Sequence, residues 1–437
     1  MTMGARQTAL GALIACRKQG AWSDGVLKEY AARDRLDRRE AALAARLCYG
    51  VLQNRMLLDF WLGGFVRGGL QKLQPVVLDI LRLGLYQIVF LDKIPDSAAV
   101  DQSVELGKKY ANPHAAGLIN GVLRAAVRQK DRLPEPTELA VRYSHPQPLV
   151  ALFRQEMGDD ALQAMLQANN GAPETVVQVN PLRAAPEQVA ESIHQAGGSC
   201  QAHPWLAGCL LVTGAGSLEQ LESFRQGAFY VQDAASRLAV QCAGLRPGMR
   251  VLDSCAAPGG KSFAAALEMG GQGTIHACDI HAHKLTLVEK GAQRLGLECI
   301  HPMLHDGRQP EPEWNGAMDA VLVDAPCSGL GIIRKKPDIR YKNLAELERL
   351  PGIQLSLLEQ QANYVKPGGV LLYSTCTILH RENREVAQSF LARHPEFAPE
   401  HLTLPGPLTE DRPGMLTLLP GQHETDGFFI CKMRRKP

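Results

Sequence analysis

Apolar residues recur at helical spacing through the first part of the chain. The clearest stripe consists of Leu78, Leu81, Leu85, Ile88 and Val89. Such a stripe predicts an amphipathic helix with one buried face. Pro95 breaks the pattern, and Ser97 can cap the helix that follows. Pro113 can open a third helix. Because no alternating strand pattern occurs there, we predict that residues 1–135 form an all-α domain.

The pattern becomes mixed after a proline-rich stretch at 131–148, which is typical of a linker. A helix is predicted around Leu149–Leu166, followed by a strand at Thr175–Val179 and another at Cys209–Val212. These elements, with a helix between the two strands, predict a small α+β module over residues 149–230.

From residue 231 the chain alternates strand, turn and helix. The strand candidates are Arg250–Cys255, Thr274–Asp279, Cys299–Asp306, Asp319–Pro326 and Val370–Cys376. Most are short, continuous apolar runs, which are typical of parallel strands covered on both faces. Helical stretches at Lys284–Leu295 and Leu344–Val365 separate several of them. We therefore predict a doubly wound, Rossmann-like α/β domain over 231–437, with ligands at the carboxyl ends of its strands.

Composition narrows the class of protein. The chain has 437 residues, 45% of them hydrophobic and 21% charged, which suits a soluble globular protein of about three domains. No apolar run approaches the roughly 18 residues of a membrane span, and the N-terminal MTMGARQTAL lacks a signal peptide's apolar core. The 11 cysteines form no C-x-x-C pair, so neither a disulfide framework nor a zinc ribbon is indicated. We expect a cytoplasmic protein without membrane contact.

The net charge of +2 hides an asymmetry. Residues 1–135 hold 20 Lys and Arg against 13 Asp and Glu, a net charge of +7, so the remainder carries −5. A basic N-terminal part suggests contact with a polyanion. A solvated helical surface explains the same charge equally well.

The first strand of the α/β domain leads into a loop of small residues, Asp253-Ser-Cys-Ala-Ala-Pro-Gly-Gly-Lys261. Small side chains let a ligand approach the backbone, and the N–H groups that open the next helix can hold a carboxylate or a phosphate. A nucleotide P-loop would need glycine where Cys255 stands, and no G-x-G-x-x-G dinucleotide loop is present. S-adenosylmethionine fits best, although a glycine-rich turn that only packs a helix on the sheet would look similar.

Two cysteines follow later strands, in Asp324-Ala-Pro-Cys327-Ser-Gly and in Tyr373-Ser-Thr-Cys376. Because the ends of neighbouring strands converge, both thiols could face one pocket. Carbon 5 of a pyrimidine becomes nucleophilic only after a thiolate adds at carbon 6, and Asp324 could hydrogen-bond a cytosine at N3 and the 4-amino group. A lone cysteine at a strand end is usually a small buried hydrophobe. Two of them beside a cofactor loop favour methylation at carbon 5, and the D-P-P-Y loop of amino-group methylation is absent.

Taken together, these motifs resemble a known family, the RNA 5-methylcytosine methyltransferases. The segments that carry the resemblance are DSCAAPGGK, DAPCSG, Arg334-Lys-Lys-Pro-Asp338, YSTC and Asp426-Gly-Phe-Phe429. The resemblance implies that Cys376 is the nucleophile, that Cys327 is needed for product release and that Asp324 contacts the target base. The residues that it places at the S-adenosylmethionine site are Cys255, Ala256, Ala257, Pro258, Gly259, Gly260, Lys261, Asp279, Asp306 and Asp324. Strand-end carboxylates suit this reading, with Asp279 on the ribose hydroxyls and Asp306 at the adenine edge.

The stretch Leu78–Arg124 resembles the NusB-type helical RNA-binding domain. Members with this domain arrangement methylate one cytosine of bacterial 16S ribosomal RNA, so the resemblance implies that target, at nucleotide 967. It also implies 16S ribosomal RNA or an early small-subunit ribosomal particle as the partner, and we expect a monomer. The target base must leave its stack, so single-stranded or loop RNA is expected.

Three departures from the family pattern affect substrate contacts rather than chemistry. Gln178 stands where an arginine is usual, His380-Arg381 where Pro-Glu is usual, and Tyr341 where a tryptophan is common.

Two weaker signals remain. His276, Cys278, His281 and His283 crowd around Asp279, but methyl transfer needs no metal, so no metal site is predicted. A basic segment, Arg334, Lys335, Lys336 and Arg340, follows Cys327 directly. We predict that it holds RNA phosphates, with a solvated loop as the alternative.

Two rival interpretations stay open. A DNA cytosine-C5 methyltransferase shares the chemistry but would attack from the Pro-Cys cysteine, Cys327. A noncatalytic RNA-binding or antitermination factor could retain the fold, although the intact cysteine pair and cofactor loop argue against it.

Overall fold

The structure is a computed structural model that describes residues 4–19 and 21–437. Residues 1–3 of the predicted helical domain, and Gly20, lie outside the described residues. The chain forms two compact units. One comprises Met1–Gly171 and Ile333–Lys342, and the other comprises Ala172–Ile332 and Asn343–Pro437.

The first unit is helical, as predicted. Its helices are α1 (Ala5–Gln19), α2 (Ser23–Arg33), α3 (Arg38–Gln53), α4 (Arg55–Phe65), α5 (Pro75–Phe90), α6 (Asp96–Tyr110), α7 (Pro113–Gln129), α8 (Leu139–Arg142) and α9 (Gln147–Ala168). Helix α5 carries the predicted stripe and is buried along most of its length. Helix α7 begins at Pro113 as predicted, with Asn112 as its side-chain cap. The prediction for Ser97 is wrong, because Pro95 occupies the N-cap position of α6 and its fixed φ suits a helix entrance.

Ten residues from later in the chain, Ile333–Lys342, complete this helical unit. The Asp338 carboxylate accepts hydrogen bonds from the Ser23 N–H at 3.1 Å and the Ser23 hydroxyl at 2.7 Å, so it caps the start of α2. Tyr341 donates its hydroxyl to the Leu52 carbonyl at 2.8 Å. No sequence pattern predicted this insertion.

The second unit begins with a small antiparallel sheet. Its strands are β1 (Thr175–Val179), β2 (Ser199–Ala202), β3 (Cys209–Thr213) and β4 (Phe229–Val231), in the order β2-β3-β1-β4. Two helices, α10 (Pro186–Gln195) and α11 (Glu222–Arg225), accompany it. Val189 and Ile193 of α10 pack on the sheet through Val177 and Phe229. Helix α9, which the sequence analysis placed in this module, lies in the helical unit.

A larger mixed sheet follows. Its strands are β5 (Arg250–Asp253), β6 (Thr274–Asp279), β7 (Ile300–Leu304), β8 (Met318–Asp324), β9 (Val365–Thr375), β10 (Phe397–Pro399), β11 (Met415–Leu418) and β12 (Phe428–Arg435). The helices are α12 (Ala234–Ala243), α13 (Gly260–Glu268), α14 (Ala282–Leu295), α15 (Leu350–Ala362) and α16 (Arg384–Arg393). The strand order is β10-β12-β9-β8-β5-β6-β7, with β11 paired to β12. Strands β5 to β9 are parallel, and β10 to β12 add an antiparallel edge.

Alternating side chains of the parallel strands bury both faces of the sheet. On β8, Ala320 and Leu322 join the cluster that contains Leu238 of α12, whereas Val321 and Val323 join the cluster that contains Leu358 of α15. This alternation follows from the two-residue repeat of a strand. It explains why the strands appeared as continuous apolar runs.

The predicted fold class is confirmed, with local corrections. The predicted helix Leu344–Val365 is a 3₁₀ helix at Leu344–Arg349 and then α15, and Val365 already belongs to β9. The antiparallel strands β10 to β12 were not predicted. No helix in the described part of the chain has the length and apolarity to cross a membrane.

Candidate active site

The carboxyl ends of β5, β8 and β9 bring the polar motifs together. Asp253 ends β5, Asp324 ends β8, and Cys376 directly follows β9. Strand order reverses between β5 and β8, since the chain passes from β5 to β6 and β7 on one side and resumes at β8 on the other. Ligands of doubly wound sheets bind at such a switch point.

The loop after β5 is shaped by Gly259. This residue has φ +111° at the N-cap position of α13, and a Cβ there would lie 2.4 Å from the Phe263 ring. Only glycine fits, and it provides no side-chain cap. The first N–H groups of α13 are therefore left without a side-chain partner from the cap residue, and they can receive an anionic group.

Beneath the loop, Asp253 anchors the start of α13. Its Oδ2 atom accepts a hydrogen bond from the Ser262 hydroxyl at 2.7 Å. Asp253 is fully buried, and burial raises its pKa to about 6 despite that hydrogen bond. This carboxyl supports the loop from inside the protein and does not line the ligand surface.

A partly buried ion pair fixes the orientation of Asp324. Lys261 Nζ donates to Asp324 Oδ2 at 2.7 Å, and the Ser374 hydroxyl donates to Oδ1 at 2.9 Å. Burial lowers the pKa of Lys261, but the carboxylate of Asp324 raises it, and the net pKa is raised. Lys261 therefore stays charged. Both oxygens of Asp324 have a fixed donor.

Cys327 and Cys376, 49 positions apart in sequence, place their sulfur atoms 3.1 Å apart. Neither cysteine forms a disulfide, and each residue as a whole is partly exposed. The pKa of Cys327 is raised, because its thiol hydrogen-bonds Cys376, because it is buried and because the carboxylate of Glu382 lies nearby. Cys327 thus keeps its proton and can donate it toward the sulfur of Cys376. Cys255 is a third thiol in the region, and burial raises its pKa so that it stays protonated.

Two glycines join the cysteine loops to the late D-G-F-F motif. The Gly331 N–H donates to the Cys376 carbonyl at 3.0 Å, and the Gly427 N–H donates to the Gly331 carbonyl at 2.8 Å. A Cβ at Gly331 would lie 2.0 Å from the Gly427 carbonyl oxygen. Three separate sequence motifs therefore meet through backbone contacts that larger residues would block.

The ends of β6 and β7 carry two carboxylates with different surroundings. Asp279 accepts a hydrogen bond from the His281 N–H at 2.9 Å. Beside it, Ile280 is 54% exposed, and Leu304, the register partner of Asp279 on β7, is 65% exposed. An apolar surface next to a carboxylate suits a nucleoside. Neither apolar residue was predicted to be part of the site. Ile280 directly follows the predicted Asp279, and Leu304 lies two positions before the predicted Asp306.

Asp306 is held by its neighbour Arg308. The guanidinium binds both carboxylate oxygens, at 3.0 and 2.8 Å, and this lowers the pKa of Asp306. Its carboxylate is thus ionised and partly occupied by an internal partner.

Three family profiles match successive parts of the chain. A NusB family profile matches residues 3–128, an RsmF/B-like ferredoxin-like domain matches 145–219, and a profile described as 16S rRNA methyltransferase RsmB/F matches 241–434. The chain is also similar to the probable ribosomal RNA small subunit methyltransferase B of Bacillus subtilis (strain 168). The two are 38% identical over 443 residues, which cover 99% of this chain and 98% of the relative. The chain belongs to the ribosomal RNA small subunit methyltransferase B family.

Solved structures support the fold of this family member. The crystal structure of PH0851 matches with a TM-score of 0.82 and 24% identity over 99% of this chain and 98% of that one. NSun6 from Pyrococcus horikoshii, solved with SFG, matches with a TM-score of 0.60 and 20% identity over 67% of this chain and 98% of that one. At these identities the likeness establishes the fold alone.

The basic segment that follows Cys327 was predicted to hold RNA phosphates, and the structure separates its residues. Lys336 is exposed, and Arg334 and Lys335 are partly exposed, so they stay candidates for RNA contact. Arg340 is 1% exposed. We remove Arg340 from the predicted RNA-contacting set, because its side chain is unavailable to a phosphate.

The guanidinium of Arg340 is held inside the helical unit by backbone carbonyls. Its Nη1 donates to the carbonyls of Gln53, Tyr143 and Ser144 at 2.7, 3.3 and 3.2 Å. The same nitrogen contacts Asn170 Oδ1 at 3.0 Å, and Nη2 donates to a further carbonyl. Burial lowers the pKa of Arg340 to about 10, so it remains charged at neutral pH.

Two departures from the family pattern also have structural roles. Gln178 is buried, and its amide donates to Cys209 Sγ and to the Gln232 carbonyl, each at 3.1 Å. Tyr341, at the position where tryptophan is common, lies under the guanidinium of Arg55 at 3.6 Å. Among residues 4–19 and 21–437, no three His, Cys, Asp or Glu side chains form a group that could hold a metal ion.

Proposed function

We propose that this protein transfers a methyl group from S-adenosylmethionine to carbon 5 of one cytosine in 16S ribosomal RNA, through a covalent bond between Cys376 and carbon 6. The observation that carries the proposal is the pair of thiols 3.1 Å apart. Asp324 ends the strand that precedes Cys327, and it is paired with the buried Lys261 at 2.7 Å. Two thiols in contact suit a reaction in which one sulfur must add to a ring and later leave it.

Cys376 provides the nucleophile in this mechanism. The raised pKa of Cys327 keeps its proton on, so we assign the nucleophilic thiolate to Cys376. The Cys376 sulfur forms a bond to carbon 6, and the electron pair of the 5,6 double bond makes carbon 5 nucleophilic. Asp324, oriented by Lys261 and Ser374, hydrogen-bonds the amino edge of the cytosine.

The residues around the switch point fit S-adenosylmethionine, which when bound supplies an electrophilic methyl group. The first N–H groups of α13 would hold its carboxylate. Asp279 would accept hydrogen bonds from the ribose hydroxyls, and the exposed side chains of Ile280 and Leu304 would contact the adenine. Asp306, paired with Arg308, would serve the adenine edge.

Release requires loss of the carbon 5 proton to a base. The freed electron pair restores the 5,6 double bond, and the bond between carbon 6 and sulfur breaks. The electrons of that bond return to Cys376 as a thiolate. Cys327, in contact with the departing sulfur, hydrogen-bonds it and so favours its departure.

The substrate assignment rests on the family to which the chain belongs. We propose nucleotide 967 as the target, in naked 16S ribosomal RNA or in an early small-subunit particle. Arg334, Lys335 and Lys336 would contact its phosphates. A cytoplasmic monomer is the form that we expect to act.

The test compares wild type, Cys376→Ala and Cys327→Ala on 16S RNA with labelled S-adenosylmethionine, followed by a denaturing gel. We expect Cys327→Ala to accumulate an RNA adduct that resists denaturation. Cys376→Ala should form neither adduct nor 5-methylcytosine.

Each alternative has its own outcome. Methylation by Cys376→Ala would contradict the assignment and favour attack by Cys327. Absence of both S-adenosylmethionine binding and methylation in the wild type would favour a noncatalytic RNA-binding factor.

A further inference from the structure

Two adjacent buried residues, Glu382 and Asn383, are hydrogen-bonded to residues next to Cys327 and Cys376. They follow β9 and precede α16, and neither is more than 1% exposed. The sequence assigned no role to either residue, although the family pattern that includes His380-Arg381 runs directly into them. Burying a carboxylate and an amide costs free energy unless both are hydrogen-bonded, so their partners are informative.

Asn383 holds the residues on either side of Cys376. The Thr375 hydroxyl donates to Asn383 Oδ1 at 2.6 Å, and Asn383 Nδ2 donates to the Thr377 carbonyl at 2.9 Å. Both groups of the amide are thereby used. The backbone that carries the Cys376 thiol is fixed from before and after the cysteine.

Glu382 does the same for Cys327. Its Oε2 atom accepts from the Ser328 N–H and from Gln354 Nε2, each at 2.9 Å. Gln354 Nε2 also donates to the Pro326 carbonyl at 3.0 Å. Of the two neighbours of Cys327, Ser328 is therefore bonded directly to Glu382 Oε2, and Pro326 is linked to it through Gln354.

The loop that carries Cys327 and the loop that carries Cys376 are also hydrogen-bonded to each other. The Ser328 hydroxyl donates to Thr377 Oγ1 at 2.7 Å, which links the residue after Cys327 to the residue after Cys376. The Tyr373 hydroxyl donates to the Glu382 carbonyl at 2.6 Å and ties the pair to β9. These bonds hold the backbone beside both cysteines, whose sulfur atoms lie 3.1 Å apart.

We propose that Glu382 and Asn383 are positioning residues that divide the reaction between them, Asn383 serving addition by Cys376 and Glu382 serving release through Cys327. The inference rests on the proposed two-cysteine function and assigns a residue to each of its halves. Small displacements of reacting groups cost rate steeply, so loss of either residue slows its own step.

The charge of Glu382 adds a second effect. It is one of the causes that raise the pKa of Cys327. Its Oε1 atom is buried and has no hydrogen-bond partner among the described residues. Replacing Glu382 by glutamine keeps an oxygen for the Ser328 N–H and removes the charge, so positioning and charge can be separated.

The experiment measures addition and release separately. Addition is the rate at which the adduct forms in the Cys327→Ala background, and release is the decay of adduct in proteins that retain both cysteines. We expect Asn383→Ala to slow addition on the order of 10-fold to 100-fold. Glu382→Ala should slow release by a similar factor and accumulate adduct, while its addition rate stays within about 3-fold. Glu382→Gln should recover most of the release rate.

The matched control is Glu385→Gln, three residues further along and exposed, which should match the wild type in both steps. Thermal unfolding and S-adenosylmethionine binding of each variant separate loss of fold from loss of position. The proposal is overturned if Glu382→Ala and Asn383→Ala slow both steps equally, or if Glu382→Ala leaves no excess adduct while remaining folded.

An activity-independent measurement keeps the inference distinct from the proposed function. In the Cys376→Ser background, iodoacetamide labelling of Cys327 is followed against pH by peptide mass spectrometry. Glu382→Gln should move the labelling inflection to lower pH, because a negative charge that raises the thiol pKa is gone. An unchanged inflection overturns the charge effect of Glu382 on Cys327, whether or not methylation is observed, and the positioning role is then decided by the release rate of Glu382→Ala. A shifted inflection with no methylation by the wild type would instead sink the proposed function alone.

Discussion

Two buried cations, Lys261 and Arg340, show how one kind of sequence signal leads to different roles. Both are basic residues within conspicuous motifs, and both are almost fully buried. Lys261 meets a carboxylate at the switch point of the large sheet, and its pKa is raised. Arg340 meets mainly neutral carbonyls within the helical unit, and its pKa is lowered.

The group to which each buried cation is bonded therefore decides what that cation does in the protein. A cation paired with a strand-end carboxylate fixes the orientation of that carboxylate. A cation bound to carbonyls satisfies backbone acceptors that would otherwise be buried without donors. The chain segment matters as well, because 324–332 belongs to the sheet unit whereas 333–342 belongs to the helical unit.

The largest effect is expected from removing the charge of Lys261. Lys261→Met should reduce single-turnover formation of 5-methylcytosine by about 100-fold to 1,000-fold, since Asp324 loses the donor that fixes it. Exposed Lys290 on α14 provides the control, and Lys290→Met should retain the wild-type rate. A Lys261→Met protein with near wild-type turnover would mean that the ion pair is only structural.

Arg340→Met tests whether the hydrogen bonds from Arg340 to backbone carbonyls stabilise the fold. We expect a loss of about 3 kcal/mol in the free energy of unfolding, because several buried carbonyls lose their donor at once. Denaturant unfolding measures it, with Lys336→Met as the control in the same segment, where the side chain is exposed. If both variants unfold at the same denaturant concentration, the carbonyl network contributes nothing.

Asp253→Asn removes a third buried charge, to which no cation of the described residues is bonded. The pKa of Asp253 rises from 3.8 to about 6 in the folded state. The folded state therefore binds the proton more tightly, and stability falls as pH rises from about 4 to about 6, by up to about 3 kcal/mol. Thermal melts from pH 4 to pH 8 should show a smaller decline for Asp253→Asn than for the wild type.

For that prediction the control is Glu348→Gln, an exposed carboxylate, whose melts should follow the wild type across the range. A wild-type protein whose stability rises steadily from pH 4 to pH 6, with Asp253→Asn parallel to it, would contradict the buried-carboxyl argument.

The smallest expected effect concerns an exposed cation. Lys336→Ala should weaken RNA binding about 3-fold. It should also reduce the slope of the logarithm of the binding constant against the logarithm of the salt concentration by slightly less than one. Fluorescence anisotropy at several salt concentrations measures both quantities. An unchanged salt slope would remove Lys336 from the proposed phosphate contacts and favour the solvated-loop interpretation.

Sequence patterns predicted the parts of the site that lie at strand ends. Asp253, Asp324 and Cys376 follow apolar runs whose two-residue repeat and parallel pairing bring their ends to one edge. The Cys327–Cys376 contact follows from the same geometry. Glu382 and Asn383 escaped prediction because a buried polar residue after a strand looks like any loop residue until its partners are known.

Local patterns in the sequence predicted the helical N-terminal part, the parallel sheet, the glycine-rich loop and the strand-end positions of the two cysteines, because periodicity and glycine placement are local properties of the chain. Only the tertiary structure decided that Arg340 is internal, that Ile333–Lys342 completes the helical unit and that Glu382 and Asn383 hold the cysteine loops. Those outcomes depend on which distant carbonyls and amides come within hydrogen-bonding distance. That information resides in the packing of residues far apart in sequence, and no local pattern carries it.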